Sequence, residues 1–125
     1  MATVAIVTDV GLKAITALQA ASDVKHVGFG TGTTGAVVGD TELETARSEA
    51  RTSGTQTQET TNTTDDTYQV VANIICTATT AAITEVGLFD AATDGIMSLR
   101  STFDVINLEV GDGVEFTIQV VLNQA

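Results

Sequence analysis

Near the C-terminal end of this chain, every second residue is apolar. Val114, Phe116, Ile118, Val120 and Leu122 alternate with Glu115, Thr117 and Gln119. Successive side chains of a strand point to opposite faces, so the pattern predicts a strand with one wet and one buried face. Tyr68, Val70, Ala72, Ile74 and Cys76 predict another, interleaved with Gln69, Val71, Asn73, Ile75 and Thr77. Ile83 to Phe89 predicts a third strand, Asp94-Gly95 a hairpin turn, and Ile96 to Phe103 the strand that follows it. Val105 to Val110 predicts one more short strand before a tight turn at Gly111-Asp112-Gly113. Short strands joined by turns predict a mainly β fold, an antiparallel β-sandwich. Its core must be built from Val, Ile, Leu and Ala, because aromatics make up only 4% of the chain.

The first half is less regular. Residues 1–7 are apolar and predict an arm. Residues 8–22 predict the single N-terminal helix, opened by Thr8-Asp9. Leu12, Ile15 and Leu18, flanked by Val10, Ala14, Ala17 and Ala21, form its expected apolar face. Val24 to Phe29 predicts a strand and residues 31–39 a Gly/Thr loop. In residues 40–51, Thr41 and Glu44 resemble a capping box over a thin apolar stripe, which predicts a short helix. Residues 53–67 are polar and Thr-rich and predict a long loop or an arm ordered by a neighbouring chain. Residues 1–125 are expected to form one domain.

Five basic residues stand against 16 acidic ones, a net charge of −11. Nucleic-acid and anionic-membrane partners both require a basic face, so neither is expected. No apolar run approaches the ~20 residues of a membrane-spanning helix. A single cysteine, Cys76, lies in an apolar run and predicts a buried thiol.

Gly30-Thr31-Gly32-Thr33-Thr34-Gly35 matches the spacing of a dinucleotide fingerprint. That fingerprint requires a helix starting within it and a second strand ending in an acid about 20 residues on. Gly39-Asp40 interrupts the first, and the polar residues 52–64 leave no place for the second, so the motif predicts a loop. His26 stands alone, and Asp90 to Gly95 lacks the ligand spacing of a calcium loop. The expectation is a non-enzyme without catalytic, cofactor-binding or metal-ligating residues.

Ile83-Thr84-Glu85-Val86-Gly87-Leu88-Phe89-Asp90-Ala91 resembles the "EvGLFda" signature of a module in bacteriophage tail-fibre and tail-collar fibre proteins. Residues 12–20, 24–34, 40–43, 99–103 and 111–122 resemble further segments of that module in the same order. The resemblance implies a non-catalytic virion structural protein of tail-fibre or baseplate-attachment type. It would be made in the host bacterial cytoplasm and assembled into the particle as a homotrimer. Its partners would be tail, baseplate or major capsid proteins. Because the chain stops at Ala125 without a shaft or tip, a capsid decoration (cement) protein is the alternative reading, and a β-sandwich binding glycan or peptide a more distant one.

Five residues are candidates for contacts with partners. Arg47 and Arg51 flank the polar segment and are suited to pairs across subunit seams. Glu85 is placed to accept a bond from Arg100 across the following hairpin. Gly87 leaves room for another group to approach. Ile83, Glu85, Gly87 and Phe89 are expected to share one strand face.

Overall fold

The computed structural model describes residue 3 and residues 5–122. Part of the predicted arm, at residues 1, 2 and 4, therefore lies outside the described residues. The helix, α1, spans Asp9–Ala20, and the Thr8 hydroxyl caps it by accepting the Gly11 amide at 3.1 Å. Among the described residues seven strands follow: β1 (His26–Gly30), β2 (Thr52–Ser53), β3 (Thr55–Glu59), β4 (Thr67–Ile75), β5 (Ala81–Phe89), β6 (Met97–Leu108) and β7 (Gly113–Val121). One sheet has the order β2-β1-β5-β6 and the other β3-β4-β7. Every pairing is antiparallel. The fold is thus the mainly β, sandwich-like arrangement with one N-terminal helix that the alternating pattern predicts.

The core lies between the sheets. Val27 and Phe29 of β1 and Ile83, Val86 and Leu88 of β5 meet Tyr68, Val70, Ala72 and Ile74 of β4, with Cys76 buried at the strand's end. Strand β5 is buried along most of both faces, one packed on the core and the other covered by the loop at residues 31–51. Where β5 meets β6, a bulge interrupts the register: Ile83 pairs with Ile106, but Glu85 pairs with Thr102. A bulge shifts which face successive side chains occupy. Ile83 therefore joins Val86 and Leu88 in the core, while Glu85, Gly87 and Phe89 face the loop. The expectation that Ile83 shares their face is corrected. The same bulge lets β6 run unbroken to Leu108, so the two strands expected over 96–103 and 105–110 are one.

The segment at 53–67 is ordered inside its own chain. Thr52–Ser53 pair with β1 in one sheet, and after Gly54 the chain crosses to pair Thr55–Glu59 with β4 in the other. Strands that switch sheets in this way close a sandwich corner. A side chain at Gly54 would collide with Val70, so the crossing requires glycine. Residues 60–66 then turn around the Asp66 carboxylate, which is buried and accepts the amides of Thr61, Asn62 and Thr63 at 2.8, 2.9 and 2.9 Å. These bonds, offset in part by burial, hold the carboxyl well below its ordinary range. No apolar side chain was needed to order this turn; a carboxylate does it.

Two further expectations are corrected. Residues 40–51 form no helix and instead cross the sheet as an irregular strap, with Ala46 bridging to Gly30. The expected helix face is also mostly unburied: α1 meets β3 and β4 through Leu12 and Thr16, while Ile15 is 47% and Leu18 74% exposed. The Thr16 hydroxyl bonds to the Asp65 carbonyl, so the contact is partly polar.

Two substitutions test this division. Leu88→Ala, which opens the core, should cost about 2–5 kcal/mol of unfolding free energy. Leu18→Ala should stay within about 0.5 kcal/mol of the parent. Equal losses in urea unfolding would show that the helix face is buried after all.

Candidate functional site: the Glu85–Arg100 clamp

The most concentrated polar chemistry among the described residues surrounds Glu85, in the middle of β5. Its carboxylate is completely buried. One oxygen accepts the amides of Gly32 at 3.0 Å and Thr45 at 2.8 Å. The other accepts the Glu44 amide at 3.0 Å and two guanidinium nitrogens of Arg100, each at 2.9 Å. Arg100 stands on β6 beside Gly87 in register and reaches Glu85 across the hairpin, the contact expected of the pair. The rest of its fork binds the Asp40 carboxylate at 2.8 Å and the Thr34 carbonyl at 2.9 Å.

Burial alone would raise the Glu85 carboxyl pKa. The amides of Thr45 and Glu44, Arg100 and the Gly32 amide outweigh burial and hold it below the ordinary carboxylate range. A charge can stay buried under such conditions because every lone pair has a donor. The arrangement resembles an anion hole made of loop amides, but the anion is the protein's own side chain. This also accounts for Gly30 to Gly35. The Gly32 amide points at Glu85, and no helix starts in the motif. At Gly30 and Gly32 a side chain would overlap the Glu85 carboxylate, so both glycines serve close approach.

Gly87, one pleat further along the same face, sits beneath Leu43. An added Cβ would press on Phe89, Leu43 and Met97 at 2.9–3.0 Å. These three form a second small apolar cluster beneath the strap. The group that approaches Gly87 is thus the chain's own Leu43.

Arg47 and Arg51 are likewise engaged within the chain. Arg47 makes a two-pronged pair with Glu49 at 2.9 and 3.1 Å and donates to the Thr79 carbonyl at 2.8 Å. Burial opposes ionisation of Glu49, yet Arg47 and the amides at Ala78 and Thr77 lower its pKa to about 2. Arg51 lies over the Phe89 ring at 3.4 Å and donates to the carbonyls of Ala91 and Asp94 at 2.9 and 2.7 Å. Both arginines thus have partners within their own chain. Asp94 and Gly95 adopt φ of 53° and 70°, the turn geometry their sequence predicts.

Glu85, Arg100 and Arg51 fasten irregular loops to the β2-β1-β5-β6 sheet, Gly87 leaves room for Leu43, and Arg47 ties the strap to the loop before β5. The sequence pattern did not reveal Asp40, Glu44, Glu49 or Asp66, because acids in loops carry no periodicity. Among the described residues, no group of His, Cys, Asp and Glu converges as a metal site, and no helix is long and apolar enough to cross a membrane. The chain matches no family model and no curated protein.

Removing one member of a buried pair leaves the other charged and unpaired. Arg100→Ala should therefore cost about 3–5 kcal/mol. Glu85→Gln should also destabilise, since one amide oxygen cannot accept all five donors. Thermal unfolding of each variant measures the loss, and a change under about 1 kcal/mol for Arg100→Ala would contradict the clamp.

The lowered carboxyls of Glu85, Glu49 and Asp66 also predict a pH dependence. A depressed acid stabilises the fold above its unfolded pKa, and that contribution is lost as pH falls through the folded pKa. Stability should be flat from neutrality down to about pH 4.5 and fall toward about pH 2, where Glu49 is protonated. A melting temperature that rises on acidification through this window would refute the assignment.

Proposed function

We propose that this chain is a non-catalytic structural module of a bacteriophage particle, of the type that attaches a tail fibre or joins the baseplate. It would associate with copies of itself and with other virion proteins. One observation carries the reading: the stretch that resembles the fibre-module signature, residues 83–91, runs along β5, an inner strand of the four-stranded sheet, into the turn that follows it. Its distinctive residues serve architecture. Glu85 ties down the strap, Gly87 admits Leu43, and the Asp90 side chain accepts the Ile96 amide at 2.7 Å to close the hairpin. The module's resemblance thus rests on residues that shape a rigid body, as a virion joint requires.

The charge pattern supports the same reading. The chain's three arginines are all bound to its own loops, leaving an acidic exterior suited to apolar or basic neighbours rather than nucleic acid. The test is electron microscopy of intact particles labelled with an antibody to this chain. Label at the tail or baseplate is expected. Label distributed over the head would make the chain a decoration protein, and particles without label would sink the virion reading.

A further inference from the structure

We propose that the Asp94–Gly95 turn is a site of spontaneous backbone modification: Asp94 cyclises onto the Gly95 nitrogen and reopens as isoaspartate, whose new α-carboxylate pairs with Arg51. The chain contains two Asp-Gly steps, Asp94-Gly95 and Asp112-Gly113. The amide nitrogen of the following residue can attack an aspartyl carboxyl, and glycine, lacking a side chain, shields that nitrogen least. By sequence the two steps are equal candidates. Their surroundings in the fold separate them.

At Asp94 both reacting groups are open. Asp94 and Gly95 are exposed, and among the described residues neither the Asp94 carboxylate nor the Gly95 amide has a hydrogen-bond partner. A side chain at Gly95 would overlap a carboxylate oxygen of Asp90, so this position cannot acquire one that would cover the nitrogen.

At Asp112 the carboxylate is occupied. It turns back to accept the Glu109 amide at 2.8 Å. Its main chain is tied as well: the Asp112 amide donates to the Glu109 carbonyl at 3.0 Å, and the Asp112 carbonyl accepts the Cys76 amide at 2.8 Å. Cyclisation there must first break the carboxylate bond and swing the carboxyl away from Glu109.

Arg51 adds a second distinction. Its Nη1 donates to the Asp94 carbonyl at 2.7 Å and to the Ala91 carbonyl at 2.9 Å, while its guanidinium lies over the Phe89 ring. Attack requires the Gly95 nitrogen to lose its proton, and the charge that develops spreads onto the Asp94 carbonyl oxygen. A cation fixed on that oxygen stabilises the charge.

The chemistry balances without another reactant. The Gly95 nitrogen bonds to the side-chain carboxyl carbon, and the amide hydrogen and the carboxyl hydroxyl leave as water, giving a cyclic imide. Water then adds to the main-chain carbonyl carbon of Asp94, and the bond from that carbon to nitrogen breaks. The nitrogen keeps its bond to the former side-chain carbon. Mass is unchanged, but the backbone of the turn is longer by a methylene. The oxygen that Arg51 grips now belongs to a free carboxylate, so a bond to a neutral carbonyl becomes an ion pair between the hairpin and the residue that leads into β2.

The test ages the purified chain at neutral pH and body temperature in water enriched in heavy oxygen, once folded and once in denaturant. Peptide mapping by mass spectrometry locates the label, and fragmentation separates isoaspartate from aspartate at each step. In denaturant the two steps should react at similar rates. In the folded chain Asp94 should react roughly tenfold faster than Asp112, the rate equivalent of one hydrogen bond of ~1.4 kcal/mol. Arg51→Gln, shown to be folded by circular dichroism, should slow the reaction at Asp94 and lower the isoaspartate share of its product. Equal labelling of the two steps in the folded chain, or label at Asp94 only after denaturation, would overturn the site, and neither outcome depends on a variant. A folded Arg51→Gln chain that reacts as fast as the parent would overturn the role of Arg51.

Discussion

The Glu85 carboxylate holds together parts of the chain that have no regular structure of their own. Residues 31–45 bury few side chains and pair with the sheet only at the Gly30–Ala46 bridge. A segment of that length cannot offset its ordering entropy by apolar burial. It is ordered because three of its amides share one buried anion, and because Arg100 neutralises that anion while gripping Asp40 and Thr34. With the strap in place, Leu43 is delivered onto Gly87 and the Phe89–Met97 cluster is covered.

The same device recurs on a smaller scale. Asp66 gathers three amides to make the turn before β4, and Glu49 gathers the amides of Thr77 and Ala78 while paired with Arg47. A chain with so few aromatics thus orders its loops by charge-assisted hydrogen bonds to backbone N–H groups, which are stronger than neutral ones. Many of its acids belong to the architecture, so its high negative charge is less a free surface property than the count suggests.

The two sides of the sandwich are not equivalent. One is closed by a covalent crossing, with the chain passing from sheet to sheet at Gly54. The other is formed by β6 and β7, joined through residues 109–112, over a half-covered apolar row.

Period-two alternation made β4 and β7 legible from the residues, because a strand's pleat imposes that spacing whatever it packs against. The Thr8 cap and the Asp94-Gly95 turn were legible for the same reason: each depends on local backbone geometry. The Glu85–Arg100 contact was legible too, since a hairpin brings the two strands into register. The sequence could not reveal the sheet each strand joins, the crossing at Gly54, the bulge that turns Ile83 away from Glu85, or the exposure of Leu18. Nor could it show that the polar residues 53–67 would be ordered from within. Those outcomes depend on which distant backbone amides and apolar surfaces meet, and only the assembled tertiary structure decides that, because hydrogen-bond donors scattered through a loop acquire a common target only when the fold brings a carboxylate among them.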